Sequence, residues 1–357
     1  MRRRDFVGAL GSAGFMRLMG HARTQEAELI DSVDLSGAPG ISVGVVHAGR
    51  VLALGGSGER GSSDLVVPGP DSMFEIGSLT KTFTACLVFE LATEGRLDIN
   101  MPVGSYLEDL PVEWRRRSLA TLLSHTSGLP EYLDASNFRA LMPMALTPRG
   151  IVDIAAKRPI LFSAGKEYAY NNTGYVLLGM VAEAVGKASF WQQLRARFFE
   201  PTGMNRTGPR GLINSDGDLA TGHFWDGAQW DNSPPITAPG STFSAGGLLS
   251  TSRDLARWAV ALDEGRVVGS KARQKMWSRA ILADGRPIDW GYGWKIEGEG
   301  DQRVVAHGGG TAGFSCWLSR DLATETTTFV LTNQNGRADP AVMASALQAA
   351  SEKLLGR

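Results

Sequence analysis

The segment Phe74-Glu75-Ile76-Gly77-Ser78-Leu79-Thr80-Lys81-Thr82-Phe83 decides how the rest of the chain is read. A serine and a lysine stand three residues apart, at the mouth of an apolar run from Thr82 to Glu94 that Gly95 stops. The run has helix length and composition, with a glycine where a C-terminal cap belongs. It is apolar almost all round, so the spacing predicts a buried helix. Residues i and i+3 share a helix face, which puts Ser78 and Lys81 side by side at the N-terminal end.

That placement has chemical meaning. A serine hydroxyl is a poor nucleophile until a base takes its proton. A lysine serves if burial or a nearby cation lowers its pKa. The first N–H groups of a helix lack partners and carry partial positive charge, so the Ser78 N–H is a candidate oxyanion donor. Chance alone gives about one Ser-x-x-Lys in a chain this long. A second copy, Ser163-Ala164-Gly165-Lys166, follows Pro159, contains a glycine and opens no apolar run, and so reads as a turn.

Working outward, strand patterns lie at both ends and helical patterns in the middle. Ile41–His47, Ala48-Gly49-Arg50 and Val51–Leu54 read as strand, tight turn, strand. Gly40-Ile41-Ser42-Val43-Gly44 fits a G-x-S-x-G nucleophile elbow, but that motif needs a helix after its serine, and here a second strand follows. Residues 96–240 are rich in helix and loop. Within them, His125 ends a helical stretch and reads as a residue that caps carbonyls or hydrogen-bonds a loop. Further on, Tyr168-Ala169-Tyr170-Asn171-Asn172-Thr173-Gly174 leads into an apolar helix. The Tyr170 phenol is a candidate proton shuttle, and Asn172 can hydrogen-bond a lysine or a substrate amide. The ordinary alternatives are core packing for Tyr170 and an N-cap role for Asn172.

Ser252 or Thr251 is placed to cap a helix from Arg253. Gly291–Ile296 and Val304–Phe314 read as strands, 315–320 and 325–333 as a hairpin, and Ala341–Leu355 as a terminal helix. The glycines after His307 expose backbone N–H groups, so Gly310 N–H is a candidate second oxyanion donor.

Composition narrows the function classes. Thirty-six basic against 37 acidic residues point to neither nucleic acid nor an anionic membrane as partner. Arg115-Arg116-Arg117 reads as a solvated helix face. A hydrophobic content of 43% over 357 residues is ample for a large core. No apolar run is long enough for a membrane span. Two cysteines, Cys86 and Cys316, are too few for a disulfide framework, and Cys86 reads as a small core residue. Nucleotide-binding glycine motifs and zinc-ligand spacings are absent, and no metal or organic cofactor is indicated. Arg3-Arg4-Asp5-Phe6-Val7 matches the twin-arginine export pattern, so residues 1–25 read as an export signal and the product as periplasmic or secreted; without export it would be cytoplasmic.

Taken together, Ser78-Leu79-Thr80-Lys81, Tyr170-Asn171-Asn172 and His307-Gly308-Gly309 resemble the motifs of the serine β-lactamase and penicillin-binding-protein superfamily, closest to its class C-like branch of esterases and D-amino-acid peptidases. Thr121–Leu129, Ala245–Leu248 and Gly291–Trp294 also look like that branch. The resemblance runs from about Ile41 to Asn333. It implies an α+β fold: an antiparallel sheet flanked by helices (about 26–77 and 241–357) with an inserted, mainly helical lobe (about 78–240).

The resemblance also implies a serine hydrolase that works through an acyl-enzyme on an ester, amide or β-lactam, with a small molecule or short peptide as substrate. Ser78, Lys81 and Tyr170 would be catalytic, with Lys81 and Tyr170 each lowering the other's pKa. Which of them takes the first proton is left open. Asn172, His307, Gly309 and Gly310 would bind or orient substrate. Classical members carry lysine where this chain has His307, and a neutral histidine offers one hydrogen bond in place of a permanent charge. That favours an ester or short-amide hydrolase over a strong β-lactamase. The alternatives are a D,D-carboxypeptidase or β-lactamase of cell-wall peptides, and a penicillin-recognising binding or sensor protein with little turnover. Oligomeric state is not read from the sequence.

Overall fold

The computed structural model describes residues 26–61, 65–215, 217–231 and 237–356. The expected export signal at 1–25 lies outside them. Among the described residues eleven strands fix the frame: β1 Gly40–His47, β2 Arg50–Gly58, β3 Phe74–Glu75, β4 Gly208–Pro209, β5 His223–Phe224, β6 Leu248–Ser250, β7 Lys295–Glu297, β8 Val304–Thr311, β9 Phe314–Asp321, β10 Thr326–Thr332 and β11 Gln334–Asn335. Four long helices accompany them: α1 Thr80–Thr93, α2 Asn172–Gly186, α3 Ser252–Asp263 and α4 Pro340–Leu354. Shorter helices fill the stretch between α1 and α3.

The main sheet is antiparallel, in the order β2-β1-β10-β9-β8-β7. The amino-terminal hairpin therefore joins the carboxyl-terminal strands through β1 and β10, with Ile41 opposite Thr332. Alternating side chains serve two layers. Ile41, Val43, Val45 and Val330 pack under α4 against Met343 and Leu347. Phe329, Leu331 and Leu318 face the larger core that contains α1, α2 and α3. Ser42, from the rejected elbow, is fully buried in β1 and donates to Ser252 Oγ at 2.8 Å, so its hydroxyl is a structural tie between sheet and α3.

Helix α1 runs through the middle of this larger core, and every residue from Thr80 to Phe89 is buried. Phe83 stacks on Trp258 at 4.0 Å and meets Phe199 edge-on; truncating such a side chain costs about 3–5 kcal/mol. The helix ends as its glycine predicts. Gly95 is left-handed, its N–H donates to Ala92 O, and Arg96 N–H donates to Leu91 O, which closes a Schellman cap. The start differs from the sequence reading. The α-helix begins at Thr80, and Ser78 sits just before it in a 3-10 turn, Gly77–Leu79.

That turn is held from two sides. Glu75 in β3 pairs with Leu249 in β6, and Ile76 N–H donates to Leu248 O. On the other side, β8 lies directly against the turn. A Cβ on Gly77 would stand 2.6 Å from Gly310 O, and one on Gly309 would stand 1.9 Å from Ile76 O, so only glycines allow the two backbones to touch.

Two local readings need correction. Arg115–Arg117 lie in a turn between Pro111 and Ser118, not on a helix, and Arg115 Nε donates to Leu110 O. Only the end of the Gly291–Ile296 stretch is strand: Gly293 has a φ of +90° and bends the chain past Ala85 of α1 before β7 begins. The second Ser-x-x-Lys is the expected turn, closed by Lys166 N–H donating to Ser163 O. Both cysteines are free and buried, Cys86 within α1. Among the described residues no helix is long and apolar enough to cross a membrane.

Candidate active site

Ser78, Lys81, Tyr170 and Asn172 converge at the amino-terminal end of α1. Lys81 is fully buried, and its Nζ has three neighbours: Ser78 Oγ at 3.0 Å, Asn172 Oδ1 at 2.7 Å and the Ala245 carbonyl at 2.6 Å. Two of these, the amide and peptide oxygens, can only accept. A neutral amine has two N–H bonds and one lone pair. With both N–H bonds donated to Asn172 and Ala245, the lone pair is left for the Ser78 hydroxyl. Burial pulls the Lys81 pKa down to about 7, against the opposing pull of the Glu131 carboxylate.

Asn172 is delivered by the start of α2. Asn171, not Asn172, is the N-cap: its Oδ1 accepts from Gly174 N–H at 2.7 Å. That leaves the Asn172 side chain, on the first helical residue, free to reach across to α1. Behind it stands Glu131, a partly buried carboxylate absent from the sequence reading. Its Oε2 accepts from Asn172 N–H and its Oε1 from Leu133 N–H at 2.9 Å. Burial raises the Glu131 pKa, and these hydrogen bonds and Lys81 oppose the rise.

Tyr170 presents its hydroxyl to the same point. Lys81 Nζ lies 4.9 Å from its ring centre. The Tyr170 residue is 36% exposed overall, yet burial around the hydroxyl drives its pKa far above that of a free phenol, and a hydrogen bond with Ser78 only partly offsets this. Mutual lowering of Lys81 and Tyr170 is therefore corrected: the amine moves down, whereas the phenol moves up and stays neutral.

His125 organises the segment that carries Tyr170. Its carbonyl accepts from Ala169 N–H and its Nδ1 from Asn171 N–H, both at 3.0 Å, and its ring stacks on Tyr170 at 4.4 Å. The expected loop-bonding role is thus observed, with the two bonds flanking Tyr170. It is achieved with a φ of +57°, unusual outside glycine.

His307 in β8 is also buried, 5.4 Å from Trp290 and 6.2 Å from Tyr170. Burial, and then the nearby Lys81, push its pKa down to about 3. Its Nδ1 donates to Gly308 O at 2.6 Å, because a carbonyl can only accept. The Nε2 is consequently a bare acceptor, with no partner among the described residues. Gly310 lies against Gly77, next to Ser78, and is exposed. Gly309 is the close-approach residue that lets β8 reach Ile76.

The sequence profile of the family described as Beta-lactamase matches residues 27–352, and the chain belongs to that family. Penicillin-binding protein 4* of Bacillus subtilis (strain 168) is 27% identical over 303 residues, which cover 80% of this chain and 66% of that protein. Protein flp of Staphylococcus aureus (strain N315) is 27% identical over 224 residues, 62% of this chain and 44% of its own length. The chain thus spans at most about two thirds of these curated relatives. Among solved structures, the octameric penicillin-binding protein homologue from Pyrococcus abyssi superposes with a TM-score of 0.76 at 25% identity, over 96% of this chain and 78% of the other. The D-amino acid amidase from Ochrobactrum anthropi SV3 gives 0.76 at 23% identity, over 95% and 98%, and shares the fold.

Proposed function

We propose that this protein is a serine hydrolase that cleaves esters or short amides through an acyl-enzyme. The observation that carries the reading is the arrangement at Lys81 Nζ, with two acceptors that occupy its N–H bonds and the Ser78 hydroxyl 3.0 Å away on its remaining side. Lys81 takes the Ser78 proton as Oγ attacks the carbonyl carbon. The N–H groups of Ser78 and Gly310 hold the oxyanion. Its collapse expels the leaving group, which receives a proton from the Tyr170 hydroxyl while Tyr170 takes one from Lys81. Water then attacks the acyl carbon and gives a proton to Lys81; as the intermediate collapses and releases the acid, Lys81 returns that proton to Ser78 Oγ.

The neutral His307 supports the choice of substrate. Its free Nε2 accepts a hydrogen bond and offers no charge to a carboxylate, so β-lactams and peptides ending in a carboxylate lose the contact a lysine would supply. The curated relatives carry penicillin-binding names, which keeps acylation by β-lactams as the second reading. Two measurements test the proposal. Intact-mass spectrometry with a serine-directed fluorophosphonate should show one adduct on the wild type and none on Ser78→Ala; an adduct that persists in the variant removes Ser78 from the role. The kcat/KM for p-nitrophenyl esters should exceed that for nitrocefin by at least about tenfold, the scale of one lost charge-assisted contact. Parity would favour the second reading.

A further inference from the structure

A cavity of about 300 Å³ lies beside the catalytic wall but contains none of Ser78, Lys81, Tyr170 or Asn172. Gly246 and Gly247, which line it, directly follow the Ala245 carbonyl that holds Lys81, and a Cβ on Gly246 would stand 3.5 Å from the backbone of Gly77. Cavity and nucleophile therefore share one glycine wall. Glu75, three residues before Ser78, lines the cavity and is 4% exposed. It is paired with Arg210 through Oε1. Three buried atoms at this cavity have no partner among the described residues: Glu75 Oε2, Arg210 Nε and Thr237 Oγ1. Buried polar atoms are almost always hydrogen-bonded, so three orphans around one cavity mark a place where a ligand supplies the partners.

The chemistry of the orphans defines that ligand. Glu75 Oε2 can only accept, the Arg210 Nε–H can only donate, and Thr237 Oγ1 can do either. The ion pair is already neutral, so a charged group would upset it, whereas a carboxamide matches donor to acceptor on both sides. The proton donor to the leaving group, Tyr170, stands on the His307 side of Lys81. Neither Tyr170 nor His307 lines the cavity, whose wall runs on from the Ala245 carbonyl that holds Lys81, so the cavity is assigned to the acyl half of a substrate.

The geometry points to a second subsite: the cavity takes a neutral carboxamide at the far end of the acyl group. This rests on the hydrolase reading above, and its test separates the two. Rates would be measured for p-nitrophenyl esters of matched chain length ending in methyl or in carboxamide, together with p-nitrophenyl acetate and fluorophosphonate labelling of Ser78. The wild type should favour the carboxamide ester by about tenfold or more in kcat/KM, as expected when orphaned polar groups gain partners. The double variant E75Q/R210M, which removes both charges together, should bring the two esters to within about twofold while the acetate rate holds. Thr237→Val, which removes only an unpaired hydroxyl, should lower the preference severalfold. Labelling with no preference in the wild type, or a preference that survives both variants, overturns the subsite and leaves the hydrolase standing. Absent labelling and absent acetate hydrolysis overturn the hydrolase itself.

Discussion

The two flanks of Ser78 hold their polar atoms in opposite ways. On the Lys81 flank every contact of the amine is matched, by Ser78, Asn172 and Ala245 within 3.0 Å. On the Tyr170 flank, His125, His307 and Trp290 crowd the phenol with rings, and each leaves one buried nitrogen without a partner among the described residues. The first flank handles charge, because a buried amine stays useful only if its protons and lone pair are directed. The second flank keeps its titratable groups neutral: burial, and then Lys81, lower both imidazoles, and burial raises the phenol. Matching on one side and burial among neutral rings on the other place one amine of lowered pKa beside one neutral phenol.

The largest break in this contrast is the loss of the amine. Lys81→Met should lower kcat/KM for p-nitrophenyl acetate by about 10³-fold or more, and slow phosphonate labelling in proportion, as for other general bases that activate a nucleophile. In the wild type kcat/KM should rise with pH through about 7, because the neutral amine is the active form and Lys81 loses its proton there.

The ring flank is tested at His125. His125→Ala removes the Nδ1 bond and the stack that locate Tyr170, and should cost about 10- to 100-fold in kcat, the range for a misplaced catalytic group. The position of the acid limb should stay close to that of the wild type, since the variant keeps every contact of Lys81. A shift as large as the rate loss would mean that the flanks are not separate.

The smallest effect sharpens the comparison. Glu131 raises the Lys81 pKa, so Glu131→Gln, which keeps an acceptor for Asn172 N–H, should move the acid limb to lower pH and leave the rate above pH 8 within a few fold. A limb that moves to higher pH would contradict the assigned sign.

Much of this arrangement was legible from spacing alone. Ser78 and Lys81 meet because i and i+3 meet on any helical turn, and the cap at Gly95 follows from its left-handed backbone. Tyr170 and Asn172 stood beside ordinary packing and capping alternatives until the resemblance joined them to His307, since nothing local in those stretches forces them toward α1. Glu131 was missed because Pro130-Glu131-Tyr132 looks like any surface loop; its placement depends on α2 arriving from forty residues away. The choice between Asn171 and Asn172 as cap turns on a register that two adjacent asparagines do not reveal. Arg115–Arg117 and Gly291–Trp294 were misread because a run of like charges or alternating rings implies a face, whereas Gly293 and the turn after Pro111 impose bends.

Strand β1 finds its inner neighbour only in β10, with Ile41 opposite Thr332. During synthesis, β1 must wait for β10 to emerge, and the Ser78 turn, which is wedged against β8, must wait for that strand. Long-range pairings of this kind close slowly. In a nascent chain the Ser78 turn therefore stays unassembled until β8 and β10 arrive.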